Sequence, residues 1–337
     1  MTRLRALASR VGQYALVLWV AATLNFALPH LAPGDPVTYL YAGPLQGLSA
    51  EQISGIRDSY GLNQSILEQY GSFWAGLVHG DLGLSVLYNR PVTEVLLERV
   101  PWTLALVGLS TVFAVLIGVS FAAWAAWRRG SGGDRRTVAG VLALDSMPSF
   151  WIGMILIAVF AVQLGWFPSY GAVTITGEGL VWFGEVLTRL TLPVATLTLA
   201  TVGGFFLLAR GSMVAVLEEP FIRLARAKGI SERRVALHHG LRNALLPVYT
   251  NLTIELGVML SGSVVVEAVF AYPGLGQLIY EAVTARDYPL LQGALLLVTL
   301  GVISANLLAD LTYPLLDPRV RRAAPAPTPA DADAVVG

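Results

Sequence analysis

Six apolar runs punctuate the chain, at residues 11–28, 102–127, 138–164, 190–213, 244–270 and 290–311. Each is close to or above the roughly 20 residues that a helix needs to cross a bilayer. The pattern predicts an all-α polytopic membrane protein with six transmembrane helices. Pro33, Gly34, Asp35 and Pro36 break the first run, so residues 1–31 form the N-terminus and first helix. Residues 32–100 then read as an extramembrane segment with amphipathic pieces at 50–60 and 65–78. Residues 101–316 form a five-helix core, and residues 317–337 a tail rich in Ala, Pro and Asp that reads as disordered. Residues 172–189 have mixed polarity and suit an interfacial helix. Residues 271–289 read as an outer re-entrant or amphipathic segment.

Composition agrees with this pattern. Of 337 residues, 55% are hydrophobic and only 13% charged, too few for a water-facing surface all round. The first run, preceded by Arg3, Arg5 and Arg10, resembles a signal peptide in outline. It is long for one, however, and no small-x-small cleavage site follows, so an uncleaved helix is expected.

Charge gives the orientation. With both termini in the cytoplasm, 17 of the 22 Lys and Arg fall on inner segments; only Arg57, Arg90, Arg99, Arg189 and Arg286 fall outside. Cytoplasmic loops carry this excess. The expected location is a bacterial or archaeal cytoplasmic membrane.

Several chemistries are excluded. The net charge is zero, so no nucleic-acid partner is expected, and the absence of cysteine removes disulfide and thiol chemistry. The single lysine, Lys228, stands in no Gly-Lys-Ser/Thr run, so there is no P-loop. His30, His79, His238 and His239 form no metal-binding spacing, and no histidine lies deep in an apolar run to serve a protease. The chain thus carries no catalytic residues and no metal site.

The most informative stretch is polar. Residues 220–247 read PFIRLARAKGISERRVALHHGLRNALLP. Pro220 suits the first turn of a helix, and Gly229 ends it. Ser231 suits the cap of a second helix, with Arg234, Leu237, His238 and Leu241 at helical steps. Two short helices joined at a glycine and lying on the membrane are expected. The strings ARAKGISERR and HGLRNALLP resemble the cytoplasmic loop of ABC importer permeases. More narrowly, they resemble the dipeptide/oligopeptide/nickel branch, B-type subunit. Arg223, Leu224 and Ala225 stand where sugar and amino-acid importers have Glu-Ala-Ala. The interval from Gly229 to Pro247 is also longer, as in the peptide branch. The segment VEAVFAYPGLGQLIYEAVTARDYP at 266–289 is a second match.

The resemblance implies a non-catalytic subunit forming half of a translocation path for dipeptides or oligopeptides. It implies a second homologous permease, two ATPases that carry ATP and Mg, and an extracytoplasmic solute-binding protein. Arg223, Ala225, Arg226, Ala227, Lys228, Gly229, Ser231, Arg242, Asn243 and Pro247 would contact the ATPase. Tyr272, Pro273, Gly274, Arg286 and Asp287 would lie where the binding protein docks. Nickel or another small solute is the alternative cargo. An ion-coupled secondary transporter is the distant alternative, which leaves the 225–247 strings unexplained.

Carboxylates within apolar runs are functional candidates, because exposing their charge to lipid is costly. Asp145, Glu255, Glu267 and Asp310 qualify. Asp145 and Asp310 read as inner-surface residues. Glu255, Ser261 and Glu267 are candidates for the path or a subunit interface. Gly257, Gly262 and Ser263 would let helices pack closely nearby.

Overall fold

The computed structural model describes residues 3–31, 49–59, 63–170 and 179–316, most of them helical. Helix α1 (Arg3–Leu31) is followed by α2 (Ala50–Ser59) and α3 (Ile66–His79), then a short hairpin of β1 (Leu84–Ser85) and β2 (Arg90–Pro91). The strands pair antiparallel, Leu84 opposite Pro91 and Ser85 opposite Arg90. Next come α4 (Val92–Trp127), α5 (Gly132–Asp145) and α6 (Ser149–Leu156), the last widening into a π-helical stretch at Ile157–Gln163. Helix α7 (Leu180–Leu217) leads to α8 (Pro220–Ala227). Helix α9 (Glu232–Arg234) runs through a π-helical stretch at Val235–Leu241 into α10 (Arg242–Phe270). Helices α11 (Leu275–Ala285) and α12 (Tyr288–Leu316) complete the described chain.

Among the described residues three helices are long and apolar enough to cross a membrane, with windows Val92–Trp127, Trp182–Leu217 and Tyr288–Leu308. Two bent pairs, Gly132–Asp145 with Ser149–Gln163 and Glu255–Phe270 with Leu275–Ala285, bring the number to five if each counts as one span. Val11–Ala27 is a shorter apolar helix.

Three expectations are corrected. The third apolar run is two helices bent by 100°. Pro148 starts the second with extended backbone, and a residue preceding proline is steered away from helical geometry. The second and fourth runs extend beyond their apolar limits, because Pro101 and Pro193 sit inside α4 and α7 without ending them. The segment 231–247 does not form a separate short helix. From Glu232 the chain is helical without interruption to Phe270, with Pro247 inside. The break at 33–36, residues 172–178 and the tail at 317–337 lie outside the described residues, as do the side chains of Ser261 and Asp310.

Helices α4 and α7 form the centre of the bundle, and α10 packs against them. Leu106 and Val107 meet Leu190, Val194 and Leu197, with Met259, Val266 and Phe270 closing the cluster. Toward α8, Ala114, Ala122 and Ala125 pack on Phe205, Phe206 and Ala209. Small residues on one helix admit aromatic rings from the other, which brings the two backbones close. At the opposite end Val92, Val95 and Leu96 pack on Leu275, Leu278, Leu290 and Ala294. The bundle therefore holds α8 at one end and the α10–α11–α12 corner at the other.

Candidate functional site

Helix α8 is amphipathic, and that places the basic loop. Ile222 and Ala225 are buried against Val235, with Leu217 and Ile230 beside them. This small apolar base turns Phe221, Arg223, Leu224, Arg226, Ala227 and Lys228 outward. Gly229 has φ +74, the left-handed region that favours glycine. Its N–H donates to the Arg226 carbonyl at 2.9 Å, and Ile230 N–H donates to the Ala225 carbonyl at 3.3 Å. Arg226 spans the turn and donates to both oxygens of Glu232, at 2.9 and 3.2 Å.

Of the ten residues expected to contact an ATPase, nine are exposed; Ala225 belongs to the base. Ser231 occupies the position before α9, but its hydroxyl makes no cap hydrogen bond. Asn243 donates to the His239 carbonyl at 2.7 Å, which braces the π-helical stretch from the α10 side. Sequence reasoning missed Phe221 and Leu224, apolar side chains left uncovered beside the cations. Their signal was the helical period set by Ile222 and Ala225.

The neighbouring basic loop is tied down. Asp134 at the start of α5 is buried and accepts two bonds from Arg210 of α7, both 2.8 Å. The fork geometry of arginine suits such a paired contact. Arg129 pairs with Glu218, two residues before α8. Asp134 was not singled out from sequence, where it was one acid among four arginines.

The candidate carboxylates separate into two kinds. Glu267, in the last turn of α10, is fully buried. It accepts from the Thr103 hydroxyl at 2.8 Å and the Gly276 N–H at 2.6 Å. Thr103 in turn accepts from Leu275 N–H at 2.8 Å. A Cβ on Gly274 or Gly276 would run into this carboxylate. Glu267 thus clasps the start of α11 to α4, and the expectation that it lines a path or subunit interface is corrected for this state of the chain. These donors give the buried carboxyl the hydrogen-bond partners that a buried polar group requires. Glu255 differs. It is half-buried in mid-α10, 3.7 Å from the position of a Cβ on Gly204, and no donor among the described residues reaches it. Asp145 is exposed and lies against Gly203, whose missing side chain leaves it room.

The α10–α11–α12 corner also departs from expectation. Tyr272, Pro273, Gly274 and Asp287 are buried and Arg286 is half-buried, so four of the five residues expected to dock a partner face inward. Tyr272 donates to the Trp102 carbonyl at 3.0 Å. Asp287 accepts from the Ser85 hydroxyl at 2.6 Å and Leu87 N–H at 2.9 Å, and caps α12 through Leu290 N–H at 3.1 Å. Tyr88 donates to Glu281 at 2.5 Å and accepts from Arg99 at 3.2 Å. Burial, then the bond to Glu281, pushes the Tyr88 hydroxyl up to about 12. Tyr280, Val283 and Thr284 are the exposed side chains of α11. Sequence could not separate these sets, because what covers Asp287 is a hairpin 202 residues away and what covers Tyr272 is α4, 170 residues away.

Among the described residues no group of three or more His, Asp or Glu is placed to hold a metal ion. What the arrangement offers is an exposed basic platform and a clasped corner at opposite ends of one long helix.

Comparison with known proteins gives the family. Residues 114–322 match the family described as binding-protein-dependent transport system inner membrane component. A peptide transport system permease protein of Brucella abortus is 38% identical over 93% of this chain and 97% of its own length. The glutathione transport system permease protein GsiC of Escherichia coli K12 is 40% identical over 90% of this chain and 94% of its own. Among solved structures, a chain of the MetNI methionine ABC transporter superposes with TM-score 0.54 at 21% identity, covering 66% of this chain and 96% of that one. The chain belongs to the binding-protein-dependent inner membrane components and is the permease component of an ABC importer.

Proposed function

We propose that the chain forms one half of the translocation path of a short-peptide importer. The reading is supported by its similarity to peptide and glutathione permeases over nine-tenths of its length. A second homologous permease would complete the path, and an extracytoplasmic binding protein would deliver the cargo. Two ATPases would hydrolyse ATP with Mg on the cytoplasmic side, and this chain makes and breaks no covalent bond. The path alternates between outward and inward openings as the ATPase pair closes and opens against α8.

The observation that carries the coupling role is the exposed face of α8, built on Ile222, Ala225 and Val235 and turned at Gly229. Cations and apolar side chains interleave there with nothing among the described residues covering them. Six spans, with α1 as the first and both termini cytoplasmic, fit the charge distribution. Residues 32–100 would then lie outside. Glu255 is the residue we place on the path or the permease–permease interface, because a mid-span carboxylate with no donor among the described residues needs water or a partner. Docking of the binding protein falls to exposed Tyr280, Val283 and Thr284, with Arg286 at their edge.

The test is uptake in a strain lacking this chain. Loss of sensitivity to toxic di- and tripeptide analogues, or of labelled glutathione uptake, is the expected result. Unchanged peptide and glutathione uptake with loss of nickel uptake would overturn the cargo.

A further inference from the structure

Helix α3 is self-contained and two-faced. Ser65 and Glu68 form a reciprocal cap at its start, and Gly80 in left-handed conformation closes its end. Successive helical residues turn by about 100°, so Leu67 and Val78, eleven apart, fall within about 20° of one another. Trp74 lies in the same stripe, flanked by Tyr70 and Gly71. Ile66, Phe73 and Leu77 extend that apolar side. Glu68, Gln69, Ser72 and His79 occupy the other. The polar side alone would suit water. The apolar side is only partly covered.

Helix α1 covers part of it. Tyr70 and Thr23 share a hydrogen bond of 2.9 Å. The ring of Phe26 stands 5.2 Å from Tyr70 and 5.6 Å from Phe73. The remainder stays bare: Leu67 is 82% exposed, Val78 79% and Ile66 62%. Thr23 and Phe26 sit at the end of the apolar stretch Val11–Ala27, the level at which hydrocarbon gives way to headgroups. They share their side of α1 with Leu16 and Trp19, which are themselves bare. With α1 as the first span, the reading on which this rests, the bare stripe of α3 adjoins a surface that would face acyl chains.

We propose that α3 is an interfacial helix, lying in the plane of the bilayer with Leu67, Trp74 and Val78 buried at the headgroup–acyl boundary and Glu68, Ser72 and His79 in water. Tyr and Trp are enriched at membrane–water interfaces, and a helix with Leu, Phe and Trp on one face and polar side chains on the other suits this position. Part of the segment between the first two spans is then membrane surface structure. It would anchor the first span laterally through the Thr23–Tyr70 and Phe26 contacts.

The natural absence of cysteine makes the test direct. Leu67→Cys, Val78→Cys and Ser72→Cys are labelled with bimane in the assembled importer. The complex is reconstituted in phosphatidylethanolamine–phosphatidylglycerol vesicles containing phosphatidylcholine brominated near the carbonyl end of its chains. Bimane at positions 67 and 78 should be quenched by bromolipid and shielded severalfold from aqueous iodide, while position 72 shows the reverse. Equal iodide quenching at all three positions would overturn the proposal in favour of a water-exposed helix. Shielding of 67 and 78 from both quenchers would overturn it in favour of a protein partner on that face.

Discussion

Asp287 and Ser85 are joined by a 2.6 Å hydrogen bond across 202 residues of sequence, and both are buried. Through this bond the small hairpin after α3 is pinned to the corner where α11 meets α12. The same carboxylate organises the first turn of α12, so one side chain fixes two elements.

Removing it should loosen the corner. Asp287→Ala leaves the Ser85 hydroxyl and Leu87 N–H without their charged acceptor. Such bonds are worth about 2 kcal/mol each. The expected outcome is a lowered melting temperature for the purified importer and faster proteolysis between residues 80 and 92. An unchanged melting temperature would show that the hairpin is held by its apolar contacts with α4 and α12.

Glu267 offers a sharper choice. If it clasps α11 to α4, Glu267→Ala should reduce the yield and thermal stability of the assembled importer. Glu267→Gln, which keeps an acceptor for Thr103, should recover much of that loss. Full assembly and stability in both variants, with transport abolished, would instead put the carboxylate on the path.

Gly229→Val tests the platform. A β-branched residue at positive φ costs at least about 1–2 kcal/mol, and the strain falls on the turn between α8 and α9. The variant chain should still insert, but ATPase copurification and uptake should fall severalfold. Normal copurification and normal transport would separate this loop from coupling.

Topology can be read with the same cysteine-free background. Ser72→Cys should react with an impermeant maleimide added to intact cells. Ser231→Cys, exposed beside the basic turn, should react only after the membrane is opened. The opposite labelling would invert the proposed orientation.

Apolar runs located the three long helices with windows Val92–Trp127, Trp182–Leu217 and Tyr288–Leu308, because hydrophobic length is a local property of the sequence. The bends were less visible. Pro148 turns the chain sharply, whereas Pro101 and Pro193 are absorbed inside helices, and neighbouring helices decide between those outcomes. The cationic residues of the basic loop were legible as a string of unusual polarity, but Phe221 and Leu224 were not, since an exposed apolar side chain looks like any other until its neighbours are buried. The outer corner was read least well. Tyr272 and Asp287 are conspicuous in sequence, yet what covers them comes from the hairpin and from α4. Asp134 and Arg210, 76 residues apart, were hidden for the same reason.

The uninterrupted helical path from Glu232 to Phe270 has a mechanical meaning. At about 1.5 Å per residue it spans more than 50 Å, with the Gly229 turn at one tip and the Glu267 clasp near the other. A rod of that length needs no relay of side chains to carry a displacement from one face of the membrane toward the other. Pro247 removes one hydrogen bond from its ladder on the α8 side of the midpoint, and there the rod is most easily bent. A movement of α8 would be divided at that point between tilting the far end and flexing the near one. The stiffness of six or seven residues around Pro247 would thereby set how much of each stroke reaches the outer corner.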